Sequence, residues 1–220
     1  MQLNFQLSYD KVFNNVHHVS GTFVTEWYEA SGTGVTGGRE SFPLYLTDQF
    51  WAASDARADS WANGDVDWQD GRMSYIGQFS YDYANKYMFT FSFREDGSMK
   101  FAPSQRWGFF PAASAGWVLS EESWFNTSKI NRLKVRASAG LTGDDSVGGW
   151  QWMESYEAGK KAYFGKSPAQ NVGLTYGKVV NPDMTWEKSF SFDLGADMNF
   201  LDHWDLSFDY WYRNTYDILD

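Results

Sequence analysis

His17 and His18 are the side chains here whose type most readily suggests chemistry, because imidazole binds metals and carries protons near neutral pH. Neighbours in a strand face opposite ways, so the two cannot chelate one ion without a bend, and His203 lies far along the chain. No metal and no cofactor is expected. Asp193 and Asp197 fall on one strand face, a spacing that would permit general acid–base work. Two solvated carboxylates are the plainer reading, no Ser-His-Asp set can be placed, and no enzyme is expected. Gly32-Thr33-Gly34-Val35-Thr36-Gly37 fits G-x-G-x-x-G. A dinucleotide site needs a helix directly after it, whereas Gly38 and Pro43 follow without helical periodicity. Asn63-Gly64-Asp65-Val66-Asp67 begins like a calcium loop, but the glycine such a loop requires falls on Trp68 and its bidentate acid on Ser74. A looser site among Asp65, Asp67 and Asp70 stands beside the blander reading of a solvated acidic loop. Asn126-Thr127-Ser128 matches a glycosylation sequon and is read as chance. With no cysteine there is no disulfide and no thiolate chemistry.

The better lead is a set of tryptophans in stretches without periodicity: Trp51, Trp61, Trp68, Trp150 and Trp152. Indole faces stack on the apolar faces of sugars, while nearby Asp and Asn accept hydroxyl hydrogens. These five are the candidate substrate contacts. The alternative is that they pack the loops together or touch a partner.

The elements that hold these residues read as strands, whose side chains alternate faces with period two. Leu3, Phe5, Leu7 and Tyr9 alternate with Asn4, Gln6, Ser8 and Asp10 over roughly the ~9–11 residues that cross a bilayer at a tilt. A second strand covers about 18–28. Met73 to Tyr81 and Lys86 to Glu95 follow, the latter with Tyr87, Phe89, Phe91 and Phe93 on one face. Trp107 to Leu119 and Leu133 to Leu141 come next. In the last pair, Trp186, Phe190, Phe192, Leu194, Ala196, Met198 and Phe200 share a face, as do Trp204, Leu206, Phe208, Tyr210 and Tyr212. Ser120 to Phe125 reads as one helical turn capped by Ser120. About eight strands result, joined short, long, short, long. Short turns fall at Asn14-Asn15, Ala84-Asn85 and Leu201 to His203; irregular stretches fall at 29–70 and 143–180. The predicted fold is all-β: an antiparallel up-and-down transmembrane β-barrel segment, about eight strands of a larger barrel, with long extracellular loops. An Arg or Lys facing lipid at the midplane would cost about 2–4 kcal/mol. Asp82, Arg94, Arg136, Asp193, Asp197 and Asp209 are therefore expected to face a wet lumen, and the rings lipid.

Composition agrees. Aromatics are 20% of the 220 residues, with 12 Trp, 13 Tyr and 18 Phe, far more than a small core can hold. A mean hydropathy of −0.52 excludes a helical membrane protein but not a strand-built one, whose lumen face stays polar. The net charge of −10 argues against nucleic acid. Residues 29–70 carry eight acids (Glu29, Glu40, Asp48, Asp55, Asp59, Asp65, Asp67, Asp70) against Arg39 and Arg57, so most of that charge sits in one loop. Met1 to Gln6 lacks the basic start and apolar core of a signal peptide and already reads as strand. Since an outer-membrane protein needs export, the chain is expected to be an internal piece of a longer one. A soluble antiparallel sandwich shares the alternation, but its core would favour Val, Ile and Leu over rings.

Three blocks carry a resemblance. They are Arg94, Asp96, Gly97, Ser98 and Phe101, continuing through Arg106-Trp107-Gly108-Phe109-Phe110-Pro111, Ala115-Gly116-Trp117 and Ser120-Glu121-Glu122; then Leu133 to Asp144; then Asn181-Pro182-Asp183-Met184-Thr185-Trp186-Glu187-Lys188-Ser189. In order and spacing this resembles the barrel domain of SusC/RagA-like TonB-dependent outer-membrane transporters, with Ala139 where an aromatic is usual and Asp144 where Asn is usual. The resemblance implies active import of oligosaccharides or peptides across the outer membrane. It also implies a SusD-like surface lipoprotein as partner, contact with outer-membrane lipid, and coupling to the TonB complex through N-terminal parts and a plug that these 220 residues do not contain. The whole chain, 1–220, is then a partial barrel domain lacking the plug and the remaining strands, and Tyr216 to Asp220 lacks the terminal aromatic of a complete barrel. Two rivals are a soluble carbohydrate-binding β-module using the same loop tryptophans, and a plug-less surface adhesion barrel.

Overall fold

The computed structural model describes residues 1–42, 49–54, 56–64, 68–127, 129–164 and 169–218. Among the described residues there are twelve strands: β1 (Gln2–Phe13), β2 (His17–Gly32), β3 (Val35–Arg39), β4 (Ser60–Gly64), β5 (Trp68–Tyr83), β6 (Tyr87–Ser98), β7 (Trp107–Val118), β8 (Ile130–Asp144), β9 (Tyr156–Phe164), β10 (Ala169–Tyr176), β11 (Glu187–Phe200) and β12 (Trp204–Tyr216). Eight of them make one sheet in the order β1-β2-β5-β6-β7-β8-β11-β12, and every pairing given for it is antiparallel. β1 and β12 are its edges. No helix among the described residues is long and apolar enough to cross a membrane, which says nothing about strands.

Register places the two kinds of side chain on opposite faces. On one face Phe79 pairs with Phe91, Tyr81 with Phe89, Tyr87 with Trp117, and Phe192 with Tyr212. On the other Ser80 pairs with Thr90, Ser114 with Ser138, and Asp197 with Lys134. A one-residue slip would exchange the faces, so the alternation fixes the register. The rings stay largely uncovered: Phe5, Leu7, Phe79, Phe89, Phe208 and Tyr210 are all exposed.

The tight turns share one device. Asn14 and Asn15, Ala84 and Asn85, and Leu201 and Asp202 all hold φ between 50° and 59°. Positive φ at both central positions is what a type I′ hairpin turn requires, and its twist matches that of the flanking strands. Two of the six, Ala84 and Leu201, lack the local hydrogen-bonding side chain that eases this backbone.

Several expectations need correction. The stretches 29–70 and 143–180 are not wholly irregular: β3 pairs with β4 and β9 with β10. β2 and β5 also run further into the first stretch than the alternation indicated. These small hairpins satisfy backbone bonds locally, and β3 and β4 have no buried residue to impose a period on the sequence. Trp186 does not join the exposed ring face. It precedes β11, is only 3% exposed, and packs on Phe101 and Phe110 to form a small buried cluster. Residues Leu119–Glu121 form a 3-10 turn without a side-chain cap; Ser120 lies inside it, its Oγ without a partner among the described residues. The chain is drawn round there by Glu122, described below. By its contacts the chain divides into two compact units, Glu29–Asp70 with Met1, and Gln2–Tyr28 with Gly71–Asp220.

Candidate functional site

The polar face of the eight-stranded sheet gathers most of the charged residues singled out above. Arg136 of β8 lies opposite Gly195 of β11. A Cβ at Gly195 would stand 2.6 Å from both Arg136 Cζ and Asp209 Oδ1. The glycine therefore lets the guanidinium lie close against the backbone. Arg136 Nε donates to Asp197 Oδ2 at 3.2 Å, Nη1 to Asp193 Oδ1 at 3.4 Å, and Nη2 to Asp209 Oδ1. Ser207 Oγ donates to Asp197 Oδ1 at 2.7 Å. One cation thus holds three carboxylates from two further strands, and the group keeps a negative surplus. Exposed pairs of this kind are screened by water and add little, so the cluster shapes the field along the face more than it stabilises the sheet.

Arg94 anchors a second group. Its Nε donates to Asp96 Oδ2 at 2.5 Å, its Nη2 to Ser74 Oγ at 3.3 Å, and Glu26 Oε2 stands 3.9 Å away. Asp82 joins neither group: its Oδ1 accepts the backbone N–H of Asn85 at 2.7 Å and fixes the β5–β6 turn. The histidines face opposite ways, as the strand period requires. Tyr81 Oη is 2.8 Å from His17 Nδ1, and Asp10 Oδ2 is 2.9 Å from His18 Nε2.

At the end of the sheet where β6 leaves and β8 ends, Asp145 ties four segments together. Arg72 Nη2 donates to its Oδ1 at 2.6 Å, Ser98 Oγ to its Oδ2 at 2.8 Å, and Lys100 Nζ to its backbone oxygen at 2.9 Å. Burial alone would raise the Asp145 pKa. The hydrogen bonds from Arg72 and Ser98, with the charges of Arg72 and Lys100, outweigh it and hold the carboxyl below its ordinary 3.8. Beside this clasp sits the Phe101, Phe110 and Trp186 cluster, with Trp186 Nε1 donating to Arg106 O at 3.0 Å. Asp145 and Arg72 escaped the sequence reading, since the pair is 73 residues apart. The available signal was the block holding Ser98, Phe101 and Arg106, now seen as a structural clasp.

A matching clasp closes the opposite end. Glu122 Oε1 accepts from Tyr87 Oη at 2.5 Å and Trp117 Nε1 at 2.9 Å, and Lys86 Nζ stands 2.7 Å from Oε2. The bond from Lys86, then that from Tyr87, pulls the Glu122 pKa down, and Glu122 pushes that of Lys86 up.

The five candidate tryptophans behave differently. Trp61 and Trp68 each lie on a glycine: a Cβ at Gly38 would be 2.5 Å from the Trp61 ring, and one at Gly32 2.5 Å from Trp68 Nε1. Both therefore pack their own loop. Gly32 is followed by β3, not a helix. Trp51 sits in a short 3-10 turn and is 78% exposed. Trp150 and Trp152 form a pair, ring centroids 6.2 Å apart. Trp150 holds φ at 65°, a backbone that bulky residues seldom adopt. Trp152 Nε1 is buried with no partner among the described residues. Asp65 and Asp67 lie outside the described residues.

A comparison with models of known families finds no match. Among curated proteins the chain is 35% identical to TonB-dependent receptor P3 of Formosa agariphila, over 67% of this chain and 15% of that protein. It is 31% identical to TonB-dependent receptor SusC of Bacteroides thetaiotaomicron, again over 67% and 15%. TonB-dependent receptor P39 of Formosa agariphila matches at 28% identity over 96% of this chain and 20% of its own length. The chain thus spans a fifth or less of these relatives. Among solved structures, the RagAB peptide importer in its open-open state superposes with a TM-score of 0.82 at 18% identity, covering 97% of this chain and 23% of that one. Its closed-closed state gives 0.79. At that identity the likeness speaks to the fold. The three sequence blocks, the antiparallel sheet with its two unlike faces and the relatives found agree: the chain belongs to the SusC/RagA-like family of TonB-dependent receptors, as a part of the barrel.

Proposed function

We propose that the full protein is an active transporter of the outer membrane, energised through TonB, and that these eight strands are a contiguous arc of its barrel wall. The observation that carries the reading is the separation of faces. Exposed rings fill one side from Phe5 to Tyr210, while Arg94, Arg136, Asp193, Asp197 and Asp209 fill the other. Lipid suits the first, and a charged row is tolerable only toward water. A soluble module would leave the rings in water, where contiguous patches of this kind mark an unmet partner. β1 and β12 then pair with further strands, because lipid cannot satisfy free backbone groups.

The cargo is an oligosaccharide or a peptide. The Trp150–Trp152 pair supports a contact at the end where the long connections lie: two adjacent rings, a strained backbone and an unsatisfied indole N–H suit stacking with one hydrogen bond. A SusD-like lipoprotein as partner rests on the family alone.

Two experiments test this. These 220 residues contain no cysteine, so single cysteines report cleanly once any cysteine elsewhere in the full protein has been replaced. In outer-membrane vesicles Phe91→Cys should react only with a lipid-soluble maleimide and Thr90→Cys with a charged one; the reverse pattern removes the assignment of faces. Deletion of the gene should abolish uptake of a glycan or peptide, as should loss of TonB, with Trp150→Ala lowering uptake about tenfold. Unchanged growth of the deletion strain on every glycan and peptide tried would reject transport.

A further inference from the structure

Trp211 breaks the sorting of the two faces. β12 sends Trp204, Phe208, Tyr210 and Tyr212 to the ring side, whereas Trp211 falls on the polar side with Asp209 and Arg213. It is 70% exposed and has no hydrogen bond or ring contact among the described residues. Sideways along the register from it, Asp193, Ser138, Ser114, Thr90 and Ser80 are all short and polar. A lone indole in such a row forfeits its apolar burial, and Trp is enriched where proteins bind one another. Departures of this kind from the binary pattern gather at functional positions.

The surroundings decide what covers the ring. Asp193 lies opposite Trp211, and Asp209 precedes it on the same face. Each gives only its Oδ1 to Arg136; the two Oδ2 atoms have no partner among the described residues, and the side chains are 32% and 42% exposed. The short side chains of the row leave a hollow of about 370 Å3 beside Asp193, so a partner can reach its carboxylate. Arg213 is turned to Ser191 Oγ at 3.3 Å. A guanidinium suits this place, because its plane stacks on an indole while its N–H groups donate to carboxylates. A strand paired beyond β12 would stand beside Trp211 in the same wall and leave the surface toward the lumen bare. Trp211 is near the middle of its strand, about 15 Å from either mouth of a tilted wall. Here 220 residues make eight wall strands, so the 22 strands of a plugged transporter would use about 600 residues. TonB-dependent receptor P39 is about five times as long as this chain. A chain of that length has several hundred residues beyond its wall, enough to fill the lumen.

We propose that Trp211, with Asp193 and Asp209, is a docking point on the lumen wall for an arginine of the plug, which lies outside these residues in the full protein. The proposal rests on the transport reading and adds where the plug is held. The test places the photo-cross-linker p-benzoylphenylalanine at position 211 of the full-length protein in outer membranes and identifies the cross-linked peptide by mass spectrometry. A plug peptide containing an arginine is expected. Hydrogen exchange on the purified full-length protein supplies the second measurement. Trp211→Ala should speed exchange of that peptide about threefold, and Trp211→Phe, which keeps a ring, should speed it less. The middle of β8 should not change in either variant. The docking point is overturned by cross-links confined to barrel peptides, to added glycan or peptide cargo or to another protein, by no cross-link at all, or by plug exchange that neither variant alters. TonB-dependent uptake by the parent protein in any of those cases leaves the transport reading standing, and its absence in the parent defeats that reading instead.

Discussion

Removing the Asp145 carboxylate should unlock one end of the sheet. The side chain is 10% exposed and meets two donors, Arg72 at 2.6 Å and Ser98 at 2.8 Å. Asp145→Ala strands both. Ser98 is almost fully buried, so its unpaired hydroxyl costs about 1–3 kcal/mol. The Arg72 side chain is 41% exposed and can turn to water, so that bond is worth closer to a surface pair, about 0–1 kcal/mol. The sum, about 2 kcal/mol, is roughly a thirtyfold change in a local opening equilibrium. Hydrogen exchange on the full-length protein reads it directly. The amide of Ser98, bonded to Arg106 O, and that of Met99, bonded to Gly71 O, should exchange about thirtyfold faster. Amides in the middle of β11 should not change. The pH dependence follows from the sign of the shift. Because folding depresses the Asp145 pKa, its contribution is present above the ordinary value of 3.8 and is lost as pH falls through the lower folded value. Wild-type protection at Ser98 and Met99 should therefore drop below about pH 4 and the Asp145→Ala protein should lack that step. A change of less than threefold at both amides, or a step that survives the substitution, would refute the clasp.

Other outcomes follow from single contacts. Glu122→Gln should loosen the opposite end, seen as faster exchange at Val118, whose N–H donates to Lys86 O. In the wild type this clasp should hold between about pH 4.5 and 10.5. It weakens below as Glu122, depressed from 4.5, protonates, and above as Lys86, raised from 10.5, loses its proton. Gly143→Ala places a Cβ 2.0 Å from the Phe110 ring and should cost about 1–3 kcal/mol by overpacking, visible as a smaller fraction of heat-modifiable barrel. Ala84→Gly should relieve a left-handed backbone that costs an L-residue about 1–2 kcal/mol, offset by about 0.5–1 kcal/mol of lost chain entropy. A small rise in the urea midpoint is expected, and a fall would show that the turn is unstrained.

The sequence alone determined the eight strands of the main sheet and their two faces. The alternation of Tyr87, Phe89, Phe91 and Phe93 with Met88, Thr90 and Ser92 is local, and in a sheet of one layer nothing further is needed to sort rings from polar groups. The shared face of Asp193 and Asp197 was legible for the same reason, as were the tight turns at Asn14-Asn15 and Ala84-Asn85. Only the tertiary structure decided which charges meet. Arg136 reaches Asp209, and Arg72 reaches Asp145, across 73 residues in each case. It also drew Trp186 off the ring face into the cluster with Phe101 and Phe110, and left Asp96 buried with one oxygen unpaired among the described residues. Strand period is written in neighbouring residues, whereas these contacts join strands and loop ends that meet only once the sheet has formed, and no spacing in the chain records them.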